Sequence, residues 1–124
     1  MSCRRSVCAV SSVVVVLAGG AAFAGPADVL AATADCKAHV CDFAVTVRHA
    51  DEGWSHYADA WEVLAPDGRV LATRKLEHPH VDEQPFTREL RGVRIPADVA
   101  TVRVRAHDSV HGYGGREATV AIPK

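Results

Sequence analysis

The chain has 124 residues, 48% of them hydrophobic, and a formal net charge of −1 at pH 7. This length allows one domain with a single modest core. All 15 acidic residues and 12 of the 14 basic ones follow residue 24, because only Arg4 and Arg5 precede it, so the remainder carries a net charge of −3. That balance argues against nucleic acid or an anionic membrane surface as the main partner.

Residues 1–24 have the pattern of a secretory signal peptide. Arg4 and Arg5 precede an apolar run, and Ala22-Phe23-Ala24 has the small-x-small form that signal peptidase cleaves. The run is shorter than the roughly 20 residues of a membrane span, and no cysteine follows it closely enough for a lipoprotein signal. We expect an exported protein, periplasmic or secreted, without stable membrane insertion after cleavage. A retained anchor is the alternative.

Residues 25–38 are small and Ala-rich, and they predict either a linker or a weak first strand. Cys36 and Cys41 follow, and a lone pair in an exported protein indicates a disulfide rather than a metal-thiolate pair. Residues five apart on a regular strand face opposite sides of the sheet. A bridge between these two cysteines therefore requires a turn or bulge within residues 37–40.

From Phe43 onward, apolar and polar residues alternate with a period of two, which predicts strands with one face on a core. Turn-forming segments, such as Ala-Pro-Asp-Gly at 65–68, separate these strands. No segment beyond residue 24 has a helical period. The strands are predicted at 43–48, 57–65, 69–76, 86–93, 100–107 and 117–122. This pattern predicts an all-β, antiparallel β-sandwich domain over residues 39–124.

The run FTRELRGVRIPADVATVRVRAHDSVHGYGG, residues 86–115, resembles the second half of a fibronectin type III or related immunoglobulin-like domain. In that half of such a domain, a strand that contains a leucine ends near a proline. The next strand has the alternating form Val-x-Val-x-Ala, and a Gly-rich loop follows it. The tyrosine expected at the start of the second strand is absent, with Ala100 or Thr101 in its place. The resemblance implies an immunoglobulin-like or fibronectin type III-like sandwich of six to seven strands.

Three segments carry six of the seven histidines: HADEGWSHYADAW at 49–61, HPHVDEQPF at 78–86 and HDSVHGYGG at 107–115. They are similar to segments of a group of small exported bacterial proteins of unknown function. Because successive strands of a sandwich reverse direction, the three His-bearing loops are expected at one end. Continuing the strand alternation places His49, His78, His80 and Asp108 inward and His107 toward solvent.

Imidazoles on neighbouring loops are ligands that zinc and copper prefer, and carboxylates act beside them as further ligands or as acceptors that fix the tautomer. We therefore predict a mononuclear zinc or copper site that uses His49, His78 and His80, with either His56 or His111 as the fourth ligand. Asp51 and Glu83 are expected behind the ligands. The candidate ligands are His49, His56, His78, His80, His111 and Asp108.

The spacing His-x(6)-His-Tyr at 49–57, with the later stretch 106–113, is also similar to the iron-binding loops of superoxide reductases, which are immunoglobulin-like sandwiches. The cysteine ligand of that family is missing, with His107 or Asp108 near its position. The resemblance therefore does not carry the redox chemistry of that family to this chain.

Two other interpretations stay open. The loop histidines and carboxylates could form a structural hydrogen-bond network, because buried loop backbone needs polar partners. Alternatively, the loops could recognise a protein or glycan, with Trp54 and Tyr113 presenting aromatic faces. A hydrolase based on Ser55 or Ser109 with an adjacent histidine is disfavoured, because such close residues cannot readily adopt triad geometry. A binding role is thus favoured over an enzymatic one.

Overall fold

The computed structural model describes residues 25–124, which form seven β-strands and no helix. The predicted signal peptide, residues 1–24, lies outside the described residues. Nothing in the described part of the chain is a helix with the length and apolarity needed to cross a bilayer. The strands are β1 (Asp28–Lys37), β2 (Val40–Arg48), β3 (Ala58–Leu64), β4 (Val70–Lys75), β5 (Phe86–Arg94), β6 (Thr101–Asp108) and β7 (Ala118–Ala121).

The strands form two sheets, and every hydrogen-bonded pair of strands is antiparallel. The first sheet has the order β1-β2-β5, and the second has the order β4-β3-β6-β7. The chain passes from one sheet to the other after β2, after β4 and after β5. The predicted all-β class and antiparallel arrangement are confirmed.

The core lies between the two sheets and follows the alternation seen in the sequence. In β2, Phe43, Val45 and Val47 are buried while their neighbours are not. Trp61 of β3 and Val104 of β6 face them from the second sheet and are fully buried. Removal of this apolar surface from water is the main force that holds the sheets together.

The sandwich begins earlier than the sequence indicated, at Asp28 instead of residue 39. Residues 25–38, predicted as a linker or a weak strand, contain the regular ten-residue strand β1. Its hairpin with β2 turns at Ala38 and His39, which have positive φ angles of 53° and 65°. The turn brings Cys36 opposite Cys41, with their Cα atoms 4.0 Å apart, and a disulfide joins them. The predicted disulfide and the turn that it requires are both confirmed.

The three His-bearing loops meet at one end of the sandwich, which we call the histidine pole: residues 49–57, 76–85 and 109–117. Hydrogen bonds tie them together, as when the Oε1 atom of Gln84 accepts from the backbone N–H of His49 at 3.0 Å. The chain enters β1 at the same end, where a Cβ atom on Gly115 would lie 2.0 Å from the carbonyl oxygen of Ala27. Any side chain at position 115 would collide with the backbone at Ala27, so this position requires glycine. The hairpin turn at residues 38–39 lies at the opposite end, against Ile95.

Candidate metal centre

Asp108 is the central side chain of the histidine pole. It is the last residue of β6, faces inward and is 0% exposed. Its Oδ1 atom accepts hydrogen bonds from the backbone N–H groups of Val110 at 2.6 Å and His111 at 2.9 Å. Burial raises the pKa of the Asp108 carboxyl, but these two amides, together with the side chains of His111 and His56, outweigh burial and hold the pKa far below its usual range. Asp108 is therefore a buried carboxylate anion.

Three imidazole nitrogens surround the other oxygen of Asp108. The Nε2 atoms of His49 and His56 lie 2.5 and 2.8 Å from Oδ2, and the Nδ1 atom of His111 lies 3.1 Å from it. His49 directly follows β2, whereas the other two belong to the loops after β2 and β6. Because a carboxylate oxygen offers about two lone-pair directions, it cannot accept three full hydrogen bonds. Four ligand-type atoms thus converge on one small volume.

The opposite nitrogens of two of these rings are held by carboxylates. The Nδ1 atom of His49 lies 2.6 Å from Asp51 Oδ1, and that of His56 lies 2.5 Å from Glu52 Oε1. Asp51 is fixed in turn by the backbone N–H groups of Ala58 at 3.0 Å and of residue 80 at 2.6 Å. The hydrogen bond to Glu52 raises the pKa of His56 above its usual value, although burial opposes it. A carboxylate at Nδ1 thus fixes the orientation of each ring, on the side away from Asp108.

A metal ion could be held between the side chains of His49, His56 and Asp108 if their ligand atoms moved slightly apart. The ligand atoms of His49, His56 and Asp108 all lie within 4.8 Å of one another, and all three residues are buried. Zinc–nitrogen distances of about 2.0 to 2.1 Å place tetrahedral ligand atoms about 3.3 Å apart. The shortest separation, between His49 Nε2 and Asp108 Oδ2, is 2.5 Å, so it would have to open by roughly 0.8 Å to reach that value.

His78 and His80 lie on the same pole but are not brought into this group. The His80 ring stacks on Phe86, with centroids 4.0 Å apart, and its Nε2 atom lies 2.9 Å from the Arg88 guanidinium, which donates to it. Burial, followed by the Arg88 charge, lowers the pKa of His80. His78 is exposed, contrary to the inward position predicted from strand alternation, and its ring lies 4.7 Å from that of His80. A guanidinium at the imidazole nitrogen opposes a second cation there.

The remaining predicted residues lie at the rim. Glu83 is 3.4 Å from Arg88 and does not contact the convergent imidazoles. Trp54 is 68% exposed, at the tip of the first loop. The Tyr113 ring lies under the Arg105 guanidinium, 3.7 Å from it, and edge-on to His107, so it covers the outer face of the second sheet.

Two residues of the site were missed by the sequence analysis. Glu52 orients His56 from four positions earlier, a local spacing that could have drawn attention to it. Gln84 joins two loops, because its Nε2 donates to the carbonyl oxygen of His80 at 2.9 Å while its Oε1 accepts from His49. No local signal in the sequence distinguishes Gln84 from an ordinary loop residue.

Comparison with known proteins shows a similarity of limited overlap. No family model matches the chain, and no solved structure matches it. A protein of Halomicrobium mukohataei named "Putative lipoprotein" is 42% identical over 79 residues, which cover 64% of this chain and 38% of that protein. The chain therefore spans well under half the length of this relative, whose name states no ligand or activity.

Proposed function

We propose that this protein is exported and binds one zinc or copper ion at the histidine pole, through His49, His56, His111 and Asp108. One observation carries the proposal: two imidazoles, each held at Nδ1 by its own carboxylate, direct Nε2 at the same carboxylate oxygen. Metal-bound histidines are usually held by a carboxylate, carbonyl or water at the nitrogen that does not contact the metal. The borderline ions zinc and copper suit such a set of nitrogen and oxygen ligands.

The charges of the group support an ion over protons. Both nitrogens of His49 and of His56 face carboxylates, so a site without metal is satisfied only if both rings are doubly protonated. A divalent ion in place of the two Nε2 protons supplies the same total charge and leaves both Nδ1–H hydrogen bonds intact. It also gives the third imidazole, His111, a partner of its own, in place of the 3.1 Å contact with an Asp108 oxygen that it shares with the other two rings.

Export and the finer fold assignment have separate support. The name of the relative is that of an exported or membrane-anchored class of protein, and residues 1–24 have a signal-peptide pattern. The sheet orders β1-β2-β5 and β4-β3-β6-β7 are those expected of an immunoglobulin-like or fibronectin type III-like sandwich.

A second candidate is recognition of a protein or glycan at the same pole. The observation that favours it is the exposure of apolar side chains on all three loops, namely Trp54, Val81 and Val110. Loops at one end of a sandwich are a common place for recognition surfaces. In this case the histidines and carboxylates beneath them act as a hydrogen-bond network that shapes the loops.

Metal analysis of the purified, untagged protein distinguishes the two candidates. We expect about one zinc or copper ion per chain, with a rise in melting temperature on addition of the ion. The substitutions His49→Ala and His56→Ala should abolish uptake. His78→Ala is the matched control, because His78 is exposed and outside the group. A wild-type protein with no bound ion and no thermal response to either ion would reject the metal site and leave the recognition surface.

A further inference from the structure

His111 is held differently from the two other imidazoles of the group. Its side chain is 40% exposed, against 0% for His49 and 10% for His56. It approaches Asp108 through Nδ1, at the longest of the three distances. Within residues 25–124, no carboxylate is paired with its second nitrogen. His111 is therefore the ligand candidate on the solvent side of the group.

The backbone at His111 is fixed independently of its side chain. Asp108 and Gly112 exchange two backbone hydrogen bonds of 2.9 and 2.8 Å, which close the turn that carries His111. The backbone N–H of His111 also donates to Asp108 Oδ1. Rotation about the first side-chain torsion would therefore carry the imidazole into solvent without breaking any of these backbone bonds.

The charge of the group indicates what could take the place of this imidazole. Asp51 and Asp108 are both 0% exposed at the side chain and together balance a divalent ion. The side chain of Glu52 is 60% exposed, so water screens its charge. A neutral donor at the fourth position leaves the buried charge balanced, whereas an anion would add an unbalanced buried charge.

Building on the proposed function, we propose that His111 is an exchangeable ligand. His49, His56 and Asp108 hold the ion permanently, and the fourth position accepts neutral nitrogen donors of the imidazole class when the His111 side chain swings out. Three protein ligands with a replaceable fourth are typical of metal sites that bind external ligands, while structural sites are closed by four fixed ligands.

Copper(II) and free imidazole test the proposal, because the visible absorption of copper(II) reports its ligands. The full chain is loaded with copper and titrated with imidazole. For the wild type we expect the visible band to stay in place, because free imidazole replaces an imidazole, and about one copper per chain to stay bound after desalting. His111→Ala should keep the copper with an affinity lowered by about tenfold or more, and added imidazole should restore the wild-type spectrum. His111→Gln serves as a second variant if the Ala variant does not fold.

His107→Ala is the matched control, because His107 lies on the same part of the chain but pairs with Asp59; its spectrum should equal that of the wild type. Loss of all copper in both His111 variants, as in His49→Ala, would show that His111 is indispensable and overturn the proposal. A His111→Ala spectrum that equals that of the wild type and does not respond to imidazole would also overturn it. A wild type that binds no copper would reject the proposed function and this inference with it.

Discussion

Replacing Asp108 by Asn separates ion binding from support of the loops. The amide of Asn keeps one oxygen, which can accept from the backbone N–H groups of Val110 and His111 as Oδ1 does. Its NH2 group has two hydrogens, which can be donated to the Nε2 atoms of His49 and His56. Both rings are then neutral and keep their Nδ1 protons on carboxylates. We therefore expect Asp108→Asn to fold and to lose the anionic ligand of the ion.

The size of each effect follows from the bonds that change. Without metal, Asp108→Asn should lower the free energy of unfolding by about 1 kcal/mol, because neutral hydrogen bonds replace the charged ones. Asp108→Ala should cost about 3 to 5 kcal/mol, because buried amides and imidazoles lose their acceptor. Zinc at about 100 times its Kd should stabilise the wild type by about 2.7 kcal/mol. For a domain of this size that raises the melting temperature by roughly 10 to 20 °C.

Thermal melts of the three proteins, followed by circular dichroism at pH 7 with and without zinc, measure these quantities. The zinc-dependent rise should be present in the wild type and nearly absent in Asp108→Asn. A full rise in Asp108→Asn would show that the ion does not use this carboxylate. If the Asn variant is instead as unstable as the Ala variant, the carboxylate is needed to balance protonated imidazoles, and the group is a structural network.

Three further predictions concern proton linkage, the chain crossing and the disulfide. The pKa of His56 in the folded protein is raised above 6.5, so protonated His56 contributes its full stabilisation of the fold below pH 6.5, and this contribution is lost as the pH rises through the raised pKa. Urea melts of the metal-free protein between pH 6 and 8 should therefore show a falling free energy of unfolding. The same melts of His56→Gln should show a smaller fall. Gly115→Ala places a Cβ atom against the backbone before β1 and should lower the free energy of unfolding in urea by about 2 kcal/mol or more. Gly25→Ala is the control, because a Cβ atom there has nothing within 4 Å, and its free energy of unfolding should equal that of the wild type. Cys36→Ser with Cys41→Ser should cost roughly 2 kcal/mol for so short a closed loop, while metal uptake stays unchanged because the disulfide hairpin lies at the other end of the sandwich.

Most of the fold could be predicted from the sequence because alternation is a strong signal in strands with one buried face. In β2 and β6, valines alternate with polar or charged residues, and both strands lie where the pattern places them. The sequence of β1 has no such contrast between an apolar and a polar face, because alanines lie on both faces of the strand, at Ala31, Ala32 and Ala34. Its strand structure depends on pairing with β2, which is a long-range property that the local pattern does not contain.

The site was predictable only as far as strand geometry extends. Asp108 is still within β6 and His49 comes one residue after β2, so alternation placed both correctly inward. His78 and His80 lie three and five residues beyond β4, where alternation no longer fixes direction, and they differ in burial. Glu52 acts through the loop conformation that the hydrogen bonds themselves create, so its role follows from the structure and not from the spacing alone.

The position of each ligand also determines which of them can move. Expansion of the group around an ion must separate Asp108 from the imidazoles. Asp108 is fixed by β6 and by two backbone amides, and His49 is held between Asp51 and the end of β2. Because the His49–Asp108 contact of 2.5 Å is the shortest and must open the most, His49 has to shift against these restraints, whereas His56 and His111 adjust more freely, since they belong to loops and are the more exposed of the three imidazoles. The strands thus set where an ion binds, whereas the two loops determine how tightly it is held and how readily its fourth position exchanges.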